Sequence, residues 1–190
     1  MAQIIQVVGY KNSGKTTLCE YLVSYFSKRQ VRVAVIKHDG HEFQMDQEGT
    51  DTWRMTRAGS AAIAITSAQR TAVVEERESH LQELIDRFNE YDLIIVEGFK
   101  REKFPKIIML RGTEDAELLE HSVNVKAAVY WKQAEMPEHS HPKLAHEVIH
   151  RASDQGPPES INVLDNEWMS FHLQEQEKIA RWLTSVLGLG

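Results

Sequence analysis

Ile4-Ile5-Gln6-Val7-Val8-Gly9-Tyr10-Lys11-Asn12-Ser13-Gly14-Lys15-Thr16-Thr17 decides how the rest of the chain is read. An apolar run of strand type stops at Gly9. The spacing G-x-x-x-x-G-K-[ST] follows, filled by Gly9, Gly14, Lys15 and Thr16. Leu18, Leu22, Tyr25 and Phe26 then recur at helical spacing. Strand, glycine loop and helix in that order form the P-loop setting, in which backbone amides wrap the phosphates of a nucleotide.

The chemistry explains the spacing. A triphosphate presents many negative oxygens in a small volume, so N–H groups can converge on it only if the loop wraps tightly. Gly9 and Gly14 are expected to give the backbone conformations that a side chain would forbid. The helix that opens near Lys15 adds free N–H groups and the positive end of its dipole. The nucleotide-contacting candidates are therefore Gly9, Tyr10, Lys11, Asn12, Ser13, Gly14, Lys15, Thr16 and Thr17. Lys15 is expected to reach the outer phosphates, and the Thr16 hydroxyl to ligate Mg²⁺.

Composition bounds the rest. The 190 residues suit one nucleotide-binding domain, residues 1–190, with a full core. The formal charge is −6, from 22 basic and 28 acidic residues, which argues against a general nucleic-acid binder. The single cysteine, Cys19, excludes an internal disulfide framework and reads as an inert buried thiol. The start of the chain lacks a signal-peptide layout, and no apolar run has membrane-spanning length. A soluble cytoplasmic protein is expected, with neither membrane nor nucleic acid among its partners.

Further along, residues 31–37 read as a second strand ending in the polar turn Lys37-His38-Asp39-Gly40-His41. Ligands in open parallel sheets gather at the carboxyl ends of strands, so Asp39 is either a metal-site carboxylate or a turn former. A short helix follows, with Thr50 as N-cap, Asp51 paired to Arg54, and Gly59 as the stop. Arg54 and Arg57 share its face, either touching phosphate or lying solvated. Residues 61–66 and 71–75 predict an antiparallel hairpin. Leu81, Leu84, Ile85 and Phe88 form a helical stripe.

Asp92-Leu93-Ile94-Ile95-Val96-Glu97-Gly98 is the second informative stretch. A buried strand that delivers a carboxylate to its end is the Walker B pattern, so Glu97 joins Thr16 and Asp39 as a candidate for holding Mg²⁺ or one of its waters. Asp39 and Glu97 are also the candidates for assisting hydrolysis. Lys100 and Arg101 follow at the same sheet end, as anion ligands or as surface charge. Residues 106–110 and 125–131 read as strands, and residues 161–164 as a short one after a turn at 154–158. Trp168, Phe171, Ile179, Trp182, Leu183 and Val186 are expected on one side of a C-terminal helix. His139, His141, His146 and His150 could be drawn as a metal site, but no cysteine accompanies them and Pro142 interrupts them, which argues against zinc.

The expected architecture is a three-layer α/β P-loop NTPase fold: a mostly parallel sheet, helices on both faces, and one antiparallel hairpin. Three stretches together resemble the molybdopterin-guanine dinucleotide biosynthesis protein B family: residues 9–17, residues 37–41 with Gly49-Thr50-Asp51-Thr52, and Val96-Glu97-Gly98-Phe99-Lys100. The resemblance covers about the first 110 residues. It implies a GTP-binding, homodimeric accessory protein with weak Mg²⁺-dependent GTPase activity. That protein assists a nucleotidyltransferase that attaches GMP to the molybdenum–pterin cofactor, and the molybdopterin cofactor itself comes into consideration as a ligand. The guanine-reading signature [NT]-K-x-D is not found at any strand end, so GTP over ATP rests on the resemblance. The alternative is a small-molecule kinase using ATP, for which a lid with arginines is required and no clear lid is found. A nucleotide-free scaffold sits badly with an intact P-loop.

Overall fold

In chain order the elements are β1 (Gln3–Gly9), α1 (Lys15–Ser27), β2 (Val33–Lys37), α2 (Asp51–Arg57), β3 (Ala62–Thr66), β4 (Thr71–Glu75), α3 (Leu81–Arg87), β5 (Leu93–Glu97), β6 (Lys106–Leu110), a 3-10 turn (Thr113–Asp115), α4 (Glu117–Glu120), β7 (Val125–Tyr130), β8 (Met169–His172) and α5 (Gln176–Leu187). They come from a computed structural model that describes residues 1–115, 117–131 and 168–189. The chain divides into two compact units: Met1–His38 with Arg87–Gly190, and Asp39–Asp86.

The first unit holds a six-stranded sheet in the order β2-β5-β1-β6-β7-β8. Every pairing in it is parallel. β5 and β6 are buried along their whole length, as strands covered on both faces must be, which explains their unbroken apolar runs. Neighbouring residues of β1 face opposite layers. Ile5 and Val7 pack with Leu18, Leu22 and Phe26 of α1 and with Ile179 and Leu183 of α5. Val8 packs with Ile108, Leu110 and Leu118 of α4 on the other face. This is the three-layer, mostly parallel α/β P-loop NTPase fold expected from the sequence. Among the described residues no helix is long and apolar enough to cross a membrane.

The chain runs from β1 to β2 and β5 on one side of β1, then crosses to β6, β7 and β8 on the other. A crevice opens where the direction of winding reverses, at the carboxyl end of β1. The glycine loop stands at that point.

The second unit contains α2, the hairpin and most of α3. The Thr50 hydroxyl accepts the N–H of Trp53 at 3.3 Å, as an N-cap should, and Asp51 pairs with Arg54 at 3.9 Å. β3 and β4 pair antiparallel from Ala62↔Glu75 to Thr66↔Thr71. The hairpin is a two-stranded sheet of its own.

Two expectations need correcting. β2 starts at Val33, not at residue 31, because the N–H of Val31 closes the end of α1 on Phe26 O and the N–H of Arg32 is taken by Asp92 Oδ2. Trp168 and Phe171 are not helical: Met169–His172 is β8, with Phe171 opposite Val129 of β7. Sheet pairing outweighs the helical spacing there, and α5 starts only after a turn in which the Glu175 carboxylate accepts the N–H of His172. The strand expected at 161–164, the turn at 154–158 and the four histidines at 139, 141, 146 and 150 lie outside the described residues.

Candidate functional site

The loop between β1 and α1 uses its two glycines differently. Gly14 has φ +83° and caps α1 from the left-handed region, which glycine enters without penalty. Gly9 does not occupy that region. It is needed for space, since a Cβ there would lie 2.3 Å from Ser13 Oγ and 2.9 Å from Met109 Cβ. The expectation of conformational freedom therefore holds for Gly14 alone. Asn12, at φ +61°, supplies the other left-handed turn of the loop. Ser13 is fully buried, and among the described residues its hydroxyl has no hydrogen-bond partner.

α1 begins at Lys15. Its first amides, those of Lys15, Thr16 and Thr17, have no partners within the helix. The Lys15 ammonium donates to Tyr10 O at 2.7 Å, folded against the loop it closes. Burial holds its pKa below the ordinary lysine value; Glu97 opposes that shift, while Lys100 and Lys37 add to it. Cys19, one turn on, is buried, and burial pushes its thiol up to about 12, so it is inert as expected.

Glu97 ends β5 directly beside the loop. Thr16 Oγ1 donates to Glu97 Oε1 at 3.1 Å and lies 3.3 Å from Oε2. Lys37, at the end of the neighbouring β2, stands 3.6 Å from the same carboxylate. Two hard oxygen donors at this separation suit Mg²⁺, whose adjacent octahedral ligands at 2.0–2.1 Å are about 2.9 Å apart. Thr16 and Glu97 are thus brought together. Asp39 begins the second unit, where its carboxylate accepts the N–H of His41 at 3.3 Å, the geometry of an Asx turn.

The turn after Glu97 is held from below. Gly98 and Phe99 both have positive φ, +99° and +52°. Glycine takes this conformation without penalty, but a phenylalanine there persists only when its surroundings over-determine it. Gln6, fully buried in β1, does so by donating its amide to Gly98 O at 3.1 Å and Phe99 O at 2.9 Å. The turn delivers Lys100, whose ammonium sits 4.0 Å from the centre of the Tyr10 ring. Of the two readings for Lys100, the contact places it at the loop; Arg101 is exposed.

Three residues went unassigned in the sequence. Gln6 had one signal, a lone amide within an apolar strand. Lys37 was read as the end of a strand and the start of a turn, with no role of its own. Trp131, just past β7, was read as the end of a strand, yet its indole N–H donates to Ser13 O at 2.7 Å. Trp131 and residues 12–17 line a cavity of about 330 Å³. Among the described residues no group of three or more His, Cys, Asp and Glu could hold a metal ion by itself. Thr16 and Glu97 would need oxygens from a ligand to complete a coordination shell.

Residues 4–131 match the family model described as Molybdopterin guanine dinucleotide synthesis protein B. A Probable molybdopterin-guanine dinucleotide biosynthesis adapter protein of Bacillus subtilis is 39% identical over 140 residues, covering 72% of this chain and 80% of that one. The Molybdopterin-guanine dinucleotide biosynthesis adapter protein of Haemophilus influenzae is 42% identical over 112 residues, covering 57% of this chain and 63% of its own length. The crystal structure of Bacillus subtilis MobB superposes with a TM-score of 0.71 at 32% identity, covering 96% of each chain. The glycine loop, Lys37, Glu97 and Trp131 all lie within the matched span, and the chain belongs to the molybdopterin guanine dinucleotide synthesis protein B family.

Proposed function

We propose that this protein is a GTP-binding adapter in the biosynthesis of molybdopterin guanine dinucleotide, acting in the cytoplasm as a homodimer beside the nucleotidyltransferase that transfers GMP to the pterin cofactor. The observation that carries this reading is the Thr16–Glu97 pair at 3.1 Å, at the mouth of a Gly14-capped loop, in a chain of this family. The free amides at the start of α1 bind phosphate oxygens. Lys15 exchanges Tyr10 O for the outer phosphates. Thr16 and Glu97 hold Mg²⁺, which supplies positive charge to the phosphate oxygens when bound. Lys37 keeps the Glu97 carboxylate in place beside Thr16.

Turnover is slow in this reading. Phosphoryl transfer gains about 10³–10⁵ in rate from an arginine finger, and residues 9–17 contain no arginine. Equilibrium binding of GTP and ATP with and without Mg²⁺, together with phosphate release, tests it. The expected result is Mg²⁺-dependent GTP binding with slow hydrolysis, and a higher Mg²⁺ requirement in Glu97→Gln. An altered Mg²⁺ dependence in Asp39→Asn would add Asp39 to the set; an unaltered one would leave it a turn residue. Labelled phosphate on a small-molecule acceptor would instead make the protein an ATP-dependent kinase.

A further inference from the structure

A nucleoside triphosphate is charged at one end and aromatic at the other, and the sheet marks where each end belongs. Glu97 on β5 and Lys37 on β2 lie to one side of β1. With Lys15 and Thr16 they define the charged end. Trp131 follows β7 and His172 ends β8, both on the opposite side of β1. A ligand whose phosphates occupy the loop and whose γ end points to Glu97 must send its nucleoside the other way, toward Trp131. The cavity is continuous along that path, from Thr16 and Thr17 to the indole.

Trp131 is held as a platform would be. Its backbone N–H donates to Leu110 O at 3.1 Å, its carbonyl meets His172 Nε2 at 2.9 Å, and its indole N–H is pinned to Ser13 O. The indole also lies close over residue 14, since a Cβ on Gly14 would sit 3.3 Å from Trp131 Nε1, tighter than ordinary contact. A tryptophan fixed at three points loses little freedom on binding a ligand, yet this one is left 42% exposed. Fixed, exposed aromatic surface at the nucleoside end of a phosphate site is what a purine stacks on.

We propose that Trp131 is the seat of the nucleotide base, a contribution that rests on the nucleotide-binding reading above. Stacking serves every purine, because every base has a π-face. Trp131 therefore adds affinity for GTP and ATP alike and does not choose between them.

The test compares wild type, Trp131→Ala and Trp131→Phe for Mg²⁺-dependent binding of GTP, ATP and inorganic tripolyphosphate. Trp131→Ala is expected to lose about ten-fold or more for both nucleotides and nothing for tripolyphosphate. Trp131→Phe, which keeps an aromatic plane but not the bond to Ser13, stays within a few-fold of wild type. GTP, unlike tripolyphosphate, quenches the wild-type tryptophan emission, and the quench is missing in Trp131→Phe; this readout decides the matter if Trp131→Ala does not fold. An equal loss for tripolyphosphate, or the same quench in Trp131→Phe as in wild type, would overturn the proposal and leave Trp131 as a brace for the loop. Wild type that binds neither GTP nor tripolyphosphate would overturn the nucleotide-binding reading itself.

Discussion

Lys15 shows how much a single residue can be asked to do and how little the fold depends on it. Among the described residues its ammonium makes one hydrogen bond, to Tyr10 O, and it contributes nothing to the apolar core. Lys15→Ala is therefore expected to keep the native circular dichroism and melting temperature while triphosphate affinity falls roughly 10- to 100-fold, the loss of a charge-assisted hydrogen bond. Unchanged affinity with native structure would mean that the ligand site is elsewhere. Lys15, Thr16 and Gly14 were legible in the sequence because the chemistry of the loop is local: eight consecutive positions, Gly9 to Thr16, carry it. Glu97 was legible from its place at the end of an apolar run. Gln6, Lys37 and Trp131 were not, because each acts on a partner far along the chain. Gln6 reaches residues 92 and 93 positions away, and Trp131 reaches 118 positions back to Ser13.

Among the elements, α5 best separates pattern from packing. Ile179, Ala180 and Leu183 are buried on α1 and the sheet, while Val186, which the helical pattern places on the same side, is 50% exposed. Leu183→Ala should cost about 2–5 kcal/mol by leaving a cavity. Val186→Ala should change stability by less than about 0.5 kcal/mol. Urea midpoints for the two variants check this; equal shifts would show that α5 is not held by one face. The stretch before α5 shows the opposite lesson. Trp168 and Phe171 fit a helical spacing, but residues 169–172 lie as the last strand of a parallel sheet. A short apolar run is compatible with either state, and only the free edge of β7 decided between them.

For the whole molecule, the hairpin unit bears on assembly. β3 and β4 pair only with each other among the described residues, and a lone two-stranded hairpin is marginal in water. Ile65 and Val73 lie on opposite faces of it by their register, and each is 55% exposed. Exposed apolar residues beside unpaired strand edges favour pairing with a second chain. Sedimentation at micromolar concentration should therefore show a dimer, and Val73→Lys should shift it toward monomer with the secondary structure retained. A wild type that sediments only as monomer would remove the homodimer from the proposed function. The sequence alone determined the glycine loop, the carboxylate at the end of β5 and the hairpin, because each depends on residues close together along the chain. Only the tertiary structure decided that β5 and β6 flank β1, that Lys37 stands 3.6 Å from Glu97, and that Trp131 closes the far side of the loop. Strand order is a choice among distant partners with similar apolar faces. It is made by packing both layers of the sheet at once, which no local stretch of sequence contains.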